Sequence, residues 1–328
     1  MSFSADTQAN AVPETFPPLG EARYLISIDQ VDRDSGAGIF ELADRMNAAM
    51  YEPQTRELLA GRIIALLFFE PSSRTILSFS AAAARLGAAV ISHQAADTSS
   101  LAKGESIEDT MRVVGSYADV IVMRHNEAGS AAKAAGASQV PLINGGDGGN
   151  EHPTQALIDL YTIRNRLERL HGLKIGMGFD PRHSRAIRSL CRGLGNYPDN
   201  EITLVGPQAL WMAEDGLEDL RGRGLSVTQT DDPEALLDQD VAYVNRFQSE
   251  RIAAMPDRDV LRQAYRLTAA SVASSRLKLV LDPLPRIHEI EGEVDALPQA
   301  GYFEQVRNGV PIRMALLWML GGAPGAGF

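Results

Sequence analysis

Short apolar runs, each closed by turn residues, recur along the chain and predict strands. In the first half they are Ile63–Phe69, Ala88–Ile91, Val120–Met123 and Val140–Ile143. In the second half they are Leu173–Met177, Glu201–Val205, Leu225–Thr228, Val241–Val244 and Leu277–Leu281. Helically spaced stretches lie between them. One of these, Thr75–Leu86, stops at Gly87, a residue that accepts the left-handed conformation in which helices commonly end. Alternation of this kind predicts βαβ units. The expected fold class is α/β, with two doubly wound domains of mainly parallel sheets joined by inter-domain helices. The glycine-rich stretch "NGGDGG", read as a loop, leads into a helix starting near Pro153, a favourable first-turn residue. The seam falls there, giving one domain of residues 23–152 plus 308–328 and another of residues 153–307. A last helix, about Asn308–Leu320, is apolar enough to pack back on either one.

Composition narrows the picture. A chain of 328 residues is comfortable for two domains. A net charge of -11 argues against nucleic acid as a partner, since phosphate backbones call for a basic face. It leaves room for a small anion in a local basic pocket. The single cysteine, Cys191, excludes an intramolecular disulfide and suits a reducing, cytoplasmic location. The histidines show no metal-ligand spacing, so no metal is expected, and no other cofactor is expected either. No apolar stretch approaches the ~20 residues of a membrane span. Residues 1–22, rich in Pro, Ser, Ala and acidic side chains, lack the basic and apolar regions of a secretory signal and are expected to form a mobile tail.

Open parallel sheets bind ligands beyond the carboxyl ends of their strands. The residues there are Glu70-Pro71-Ser72-Ser73-Arg74-Thr75, Arg124-His125, Asp147 with Glu151-His152, Asp180-Pro181-Arg182-His183-Ser184-Arg185, Arg246 with Gln248, and Asp282-Pro283-Leu284-Pro285-Arg286. "PSSRT" opens a helix, where backbone N–H groups and the helix dipole favour an anion and Arg74 adds a charged fork. An ordinary N-cap is the competing reading, but a cap does not need the arginine. Singly, each remaining cluster has a bland reading: a surface arginine, a loop lysine at Lys103, a local histidine. Their joint occurrence at predicted strand ends carries the weight.

"FFEPSSRTILSF", "KGES", "VMRH", "NGGDGGNEHPTQALIDLYTI", "DPRHSRAIRS", "NRFQSER" and "DPLPR" closely resemble the motifs of aspartate carbamoyltransferases, in register from about Ile63 to Ile312. Thr154 stands where ornithine enzymes of the superfamily typically carry cysteine. The resemblance implies transfer of a carbamoyl group from carbamoyl phosphate to L-aspartate in pyrimidine synthesis. It implies that the first domain binds carbamoyl phosphate and the second binds aspartate. Ser72, Ser73, Arg74 and Thr75 would bind the phosphate. Thr75, Arg124 and His152 would donate to the carbamoyl oxygen. Gln155 and the carbonyls of Pro283 and Leu284 would hold the carbamoyl amino group. Arg185 would meet the α-carboxylate of aspartate, and Arg246 and Gln248 its side-chain carboxylate. Lys103 would reach both substrates from a neighbouring subunit, which implies a homotrimer with shared active sites and leaves a larger assembly open. Glu70 would pair with Arg185 and Arg251 on domain closure.

Three positions depart from the pattern. Asp282 stands where histidine is usual, and a carboxylate beside the acceptor could alter amine preference or point away. Ser73 replaces a more usual threonine and keeps the hydroxyl. Ala102 stands where some members carry a second lysine. A carbamoyltransferase for another small amine therefore stays open, as does a non-catalytic binding homologue. A nicotinamide-dependent dehydrogenase has only "GMG" at Gly176–Gly178 in its favour.

Overall fold

The computed structural model describes residues 23–94, 104–248 and 258–322. The predicted tail, Lys103 and Arg251 lie outside the described residues. The chain divides into two compact units, Met1–Thr154 with Gly309–Phe328, and Gln155–Asn308.

The first unit contains β1 (Tyr24–Leu25), α1 (Arg33–Ala48), β2 (Ile63–Phe68), α2 (Ser73–Arg85), β3 (Ala89–Gln94), α3 (Ile107–Gly115), β4 (Val120–His125), α4 (Ser130–Ala137) and β5 (Leu142–Asp147). Its sheet has the order β1-β5-β4-β2-β3, and every pair is parallel. Ala65, Leu67, Ile121 and Met123 of the central strands pack with Met111 of α3 and with Ala131 and Ala134 of α4. Each large apolar side chain buried in this way stabilises the fold by about 1.5–3 kcal/mol.

Helix α5 (Pro153–Leu167) carries the chain from the first unit into the second. The second unit holds β6 (Lys174–Gly178), α6 (Arg185–Leu194), β7 (Glu201–Val205), α7 (Glu214–Gly222), β8 (Ser226–Thr230), β9 (Val241–Val244), α8 (Arg258–Ala264), α9 (Ala269–Ala273) and β10 (Leu279–Leu281). Its sheet is again wholly parallel, in the order β10-β9-β6-β7-β8. Val244, Val280 and Phe179 share a core with Tyr265, Val272 and Tyr302. Helix α10 (Tyr302–Gly321) returns the chain to the first unit.

The two parallel sheets are those the pattern predicts, and α2 ends as expected. Gly87 has φ +83, and a Cβ there would lie 1.7 Å from the Arg56 carbonyl oxygen. Only glycine fits that position. Other details differ. Strand β1 is two residues long, too short to leave a periodic signal. The glycines of "NGGD" lie within β5 rather than in a loop, because Gly145 packs against β4. A Cβ on Gly145 would stand 3.2 Å from the Met123 carbonyl oxygen. Helix α10 starts at Tyr302, ahead of the predicted Asn308, because its first turns mix exposed Phe303 and Val306 with buried Tyr302 and Gln305. Only from Pro311 onward is every position to Leu320 buried, and that is the part an apolar run reveals.

Candidate active site

In the first unit the Phe69 amide bonds to the Arg124 carbonyl oxygen at 2.8 Å, so the chain leaves β2 alongside the end of β4. It then enters α2 through Ser72. The Ser72 side chain makes no capping bond to the helix, and its Oγ instead donates to Thr75 Oγ1 at 2.9 Å. Thr75 is buried, whereas Ser73 and Arg74 are exposed at the helix start. The ordinary-cap reading of "PSSRT" therefore fails at its defining bond, and Ser72, Ser73, Arg74 and Thr75 occupy the start of α2, where a helix N-terminus attracts an anion.

Arg124 is close to buried, with its side chain 11% exposed. Its Nη2 pairs with Glu70 Oε2 at 2.8 Å, and its Nη1 donates to the Gly145 carbonyl oxygen at 3.3 Å. Glu70 is thus tied to Arg124 within its own unit. A guanidinium held by a carboxylate and a carbonyl is preorganised: its direction is set before any ligand arrives. The neighbouring His125 is neutral at ordinary pH, because burial holds its imidazole below the usual range, and its Nδ1 accepts from the Glu127 amide at 3.0 Å.

His152 stands immediately before α5 and is buried. The turn that presents it is organised by Asp147, also buried. Asp147 Oδ1 accepts from Asn144 Nδ2 at 3.0 Å and from the Glu151 amide at 3.1 Å. Its Oδ2 accepts from the Gly129 amide at 2.9 Å and from Asn150 Nδ2 at 3.1 Å. Gly148 closes the same turn at φ +53, with the Ala128 nitrogen 2.6 Å from where a Cβ would be.

In the second unit Asp180 has the corresponding role. It is wholly buried at the end of β6. Its Oδ1 faces the His183 amide at 3.2 Å and His183 Nδ1 at 2.9 Å, while its Oδ2 accepts from the Gln248 amide at 3.0 Å. One carboxylate thereby ties the loop that carries Arg185 to the strand end that carries Arg246 and Gln248. Arg185 is the first residue of α6, after the cap Ser184, whose Oγ accepts from the Ile187 amide at 3.2 Å. Arg185, Arg246 and Gln248 are all half-buried. Two planar forks and an amide, each with a partly open face, suit a small dicarboxylate.

The turn after β10 has its own geometry. Asp282 is buried, and its Oδ1 accepts from the Leu284 amide, so the carboxylate is directed into its own turn. Leu284 has φ +58, a conformation that leucine adopts only when its surroundings hold it there. Arg286 forms a two-point ion pair with Asp295 and stacks over Tyr302 at 5.1 Å, so it braces the turn.

Gln155 opens the second unit on α5. Its Nε2 donates to Asp159 Oδ1 at 2.7 Å. A carboxylate oxygen only accepts, so the Gln155 amide must present nitrogen to Asp159 and keep its oxygen for another donor. Asp159 and its second partner Gln305 are buried, and neither stands out as a strand-end residue. The signal in the sequence was an aspartate inside the apolar helix "ALIDLYTI", four residues from Gln155. Cys191 is buried, and burial pushes its thiol up to about 12, so it stays protonated at neutral pH. Among the described residues no group of His, Cys, Asp and Glu could hold a metal ion, and no helix is long and apolar enough to cross a membrane.

Residues 23–165 match the family described as aspartate/ornithine carbamoyltransferase, carbamoyl-P binding domain, and residues 171–320 match its Asp/Orn binding domain. An aspartate carbamoyltransferase catalytic subunit of Hyperthermus butylicus is 43% identical over 305 residues, covering 92% of this chain and 97% of the relative. The catalytic subunit of M. jannaschii aspartate transcarbamoylase superposes with a TM-score of 0.85 at 39% identity, over 91% of this chain and 98% of that one. A Trypanosoma cruzi aspartate transcarbamoylase, solved in complex with carbamoyl phosphate and aspartate, gives 0.82 at 35% identity, over 94% and 99% of the two chains.

Proposed function

The chain belongs to the aspartate/ornithine carbamoyltransferase family, and on that premise we propose that it transfers the carbamoyl group of carbamoyl phosphate to the amine of L-aspartate, giving N-carbamoyl-L-aspartate and phosphate. The first unit supplies the residues for the phosphate and the carbamoyl oxygen, and the second those for the carbamoyl amino group and for aspartate. The observation that carries the reading is the start of α2, where Ser72 turns to Thr75 instead of capping the helix. That leaves Ser72, Ser73, Arg74 and Thr75 as a cradle for the phosphate.

Attack of an amine on the carbamoyl carbon builds negative charge on its oxygen. Thr75, Arg124 and His152 donate to that oxygen, and Arg124, fixed by Glu70 and Gly145, needs little reorganisation to do so. Gln155 Oε1 and the carbonyls of Pro283 and Leu284 accept from the carbamoyl amino group. Arg185, Arg246 and Gln248 take the two carboxylates of aspartate, with Asp180 holding both segments. The departing phosphate accepts the amine proton, so the protein's contribution is positioning and electrostatics. Glu70 and Arg251 serve closure, with Glu70 keeping its hold on Arg124 and pairing also with Arg185 and Arg251 when substrates are bound. Asp282, spent on its own turn, gives no reason to expect an acceptor other than aspartate.

Lys103 completes the site from a second copy of the chain, in a homotrimer working in the cytoplasm. The elements on either side of Lys103 support this, since Ile91 on the edge strand β3 and Val113 on α3 are large apolar side chains left exposed.

A bisubstrate analogue such as N-(phosphonacetyl)-L-aspartate tests the reading. It is expected to compete with carbamoyl phosphate and to block turnover with aspartate. Turnover that is insensitive to the analogue would sink the assignment of these two clusters to one reaction.

A further inference from the structure

The second unit contains a buried chain of hydrogen bonds that none of the strand-end clusters predicts. Asp159 Oδ1 accepts from Gln155 Nε2 at 2.7 Å and from Gln305 Nε2 at 2.6 Å. Gln305 in turn accepts, through Oε1, from the Asp282 amide at 3.0 Å. Asp282 then holds the Leu284 amide with its own carboxylate. Asp159, Gln305 and Asp282 are all at most 1% exposed. The buried Tyr243 lies against this network, its phenol held well above its usual range by burial and by the Asp159 carboxylate, so it stays neutral.

From this geometry we infer that Asp159 is the positioning residue that fixes the carbamoyl amino pocket, orienting the Gln155 amide directly and the Pro283-Leu284 carbonyls through Gln305. Three observations combine. First, a carboxylate cannot donate, so both glutamines must give it their nitrogens and turn their oxygens outward. For Gln305 the outward oxygen meets a backbone N–H; for Gln155 it is left to receive a ligand N–H. Secondly, the turn beyond β10 contains Leu284 at φ +58, which its surroundings must hold in place. The Gln305 and Asp282 bonds are the holding contacts. Thirdly, a single carboxylate oxygen receives both arms, so the spacing of Gln155 and the turn is set at one point. The pocket that results presents acceptors only. It fits an NH2 group and rejects a methyl group of the same size, which would leave those acceptors unpaired.

The inference rests on the reading of Gln155 and the Pro283-Leu284 turn as ligands of the carbamoyl amino group, and the test separates the two. Carbamoyl phosphate is compared with acetyl phosphate, which carries CH3 in place of NH2, and with inorganic phosphate. Each is measured as a ligand of the full chain, directly or by inhibition. The variants are Gln155→Ala, Asp159→Asn, Gln305→Leu and the pair Gln155→Ala with Asp159→Asn. Asp159→Asn keeps the volume, and Gln305→Leu keeps the helix, so folding is preserved in at least one arm. Asp159→Asn keeps one acceptor oxygen but turns charge-assisted hydrogen bonds into weaker neutral ones, which predicts about a tenfold weaker affinity for carbamoyl phosphate. Gln305→Leu removes one arm outright, which predicts an affinity about tenfold to hundredfold weaker. Affinity for acetyl phosphate and for phosphate stays within about twofold, so the preference for NH2 over CH3 collapses. In the Gln155→Ala background Asp159→Asn has a smaller effect than in the native chain, as coupled groups require.

A uniform loss for all three ligands would overturn the inference, because it would mark Asp159 as merely structural. So would Gln155→Ala losing the NH2 preference while Asp159→Asn and Gln305→Leu keep it. If Gln155→Ala itself keeps the preference, the underlying assignment of Gln155 is what fails.

Discussion

With alanine in place of Arg124, kcat is expected to fall by about 10²- to 10³-fold while the fold survives. The side chain is 11% exposed at the end of β4, with Nη2 held by Glu70 and Nη1 by the Gly145 carbonyl. A donor that is already aimed acts on charge that appears only in the transition state, so its loss lowers turnover more than substrate affinity. Arg124→Lys keeps the charge but cannot reach Glu70, Gly145 and the carbamoyl oxygen with one planar fork, so it recovers only part of the rate. Steady-state kinetics with a thermal melt alongside checks this. A kcat within a few-fold of the native value, in a folded variant, would remove Arg124 from the reaction.

Arg74→Ala is expected to act on the other half of the same substrate. Arg74 lies exposed in the first turn of α2, so its removal leaves no cavity and changes stability by no more than about 0.5 kcal/mol. The missing charge-assisted bonds to phosphate predict a Kd for carbamoyl phosphate raised about tenfold to hundredfold, with inorganic phosphate weakened in parallel. That parallel loss is the signature of a phosphate contact, and it contrasts with the selective loss of NH2 recognition expected at Asp159. Calorimetric titration with both ligands distinguishes the two. Unchanged carbamoyl phosphate affinity in Arg74→Ala would count against the cradle.

The sequence already shows which residues end strands, and in a parallel α/β fold that is almost the same as showing which residues can meet a ligand. Ser72 to Thr75, Arg185 and Arg246 follow their strands as the pattern predicts, Arg124 lies inside β4, which runs on to His125, and Gly87 ends α2 for the steric reason its identity suggests. What the pattern does not carry is the partner of each side chain. Glu70 reads as a strand-ending residue, and only the structure gives it Arg124. Arg286 resembles the other strand-end arginines, yet Asp295 and Tyr302 occupy it. Gln155 and Gln305 meet on Asp159 although Gln305 and Asp159 are 146 positions apart, a separation at which no local periodicity reports contact. Asp282 is a similar case: it reads as a strand-end carboxylate, and only the structure shows that it accepts from the Leu284 amide of its own turn. The later part of β5, from Asn144 to Asp147, eluded the apolar pattern because it makes its close approach to β4 with glycines, which have no side chain to register as apolar.

The most direct measurement is identification of the product formed when purified protein is given carbamoyl phosphate with a panel of amino acids that includes L-aspartate and L-ornithine. The expected result is N-carbamoyl-L-aspartate, released with an equal amount of phosphate, and no comparable product from ornithine. No carbamoyl aspartate above the uncatalysed background, or faster carbamoylation of another amine, would contradict the assignment.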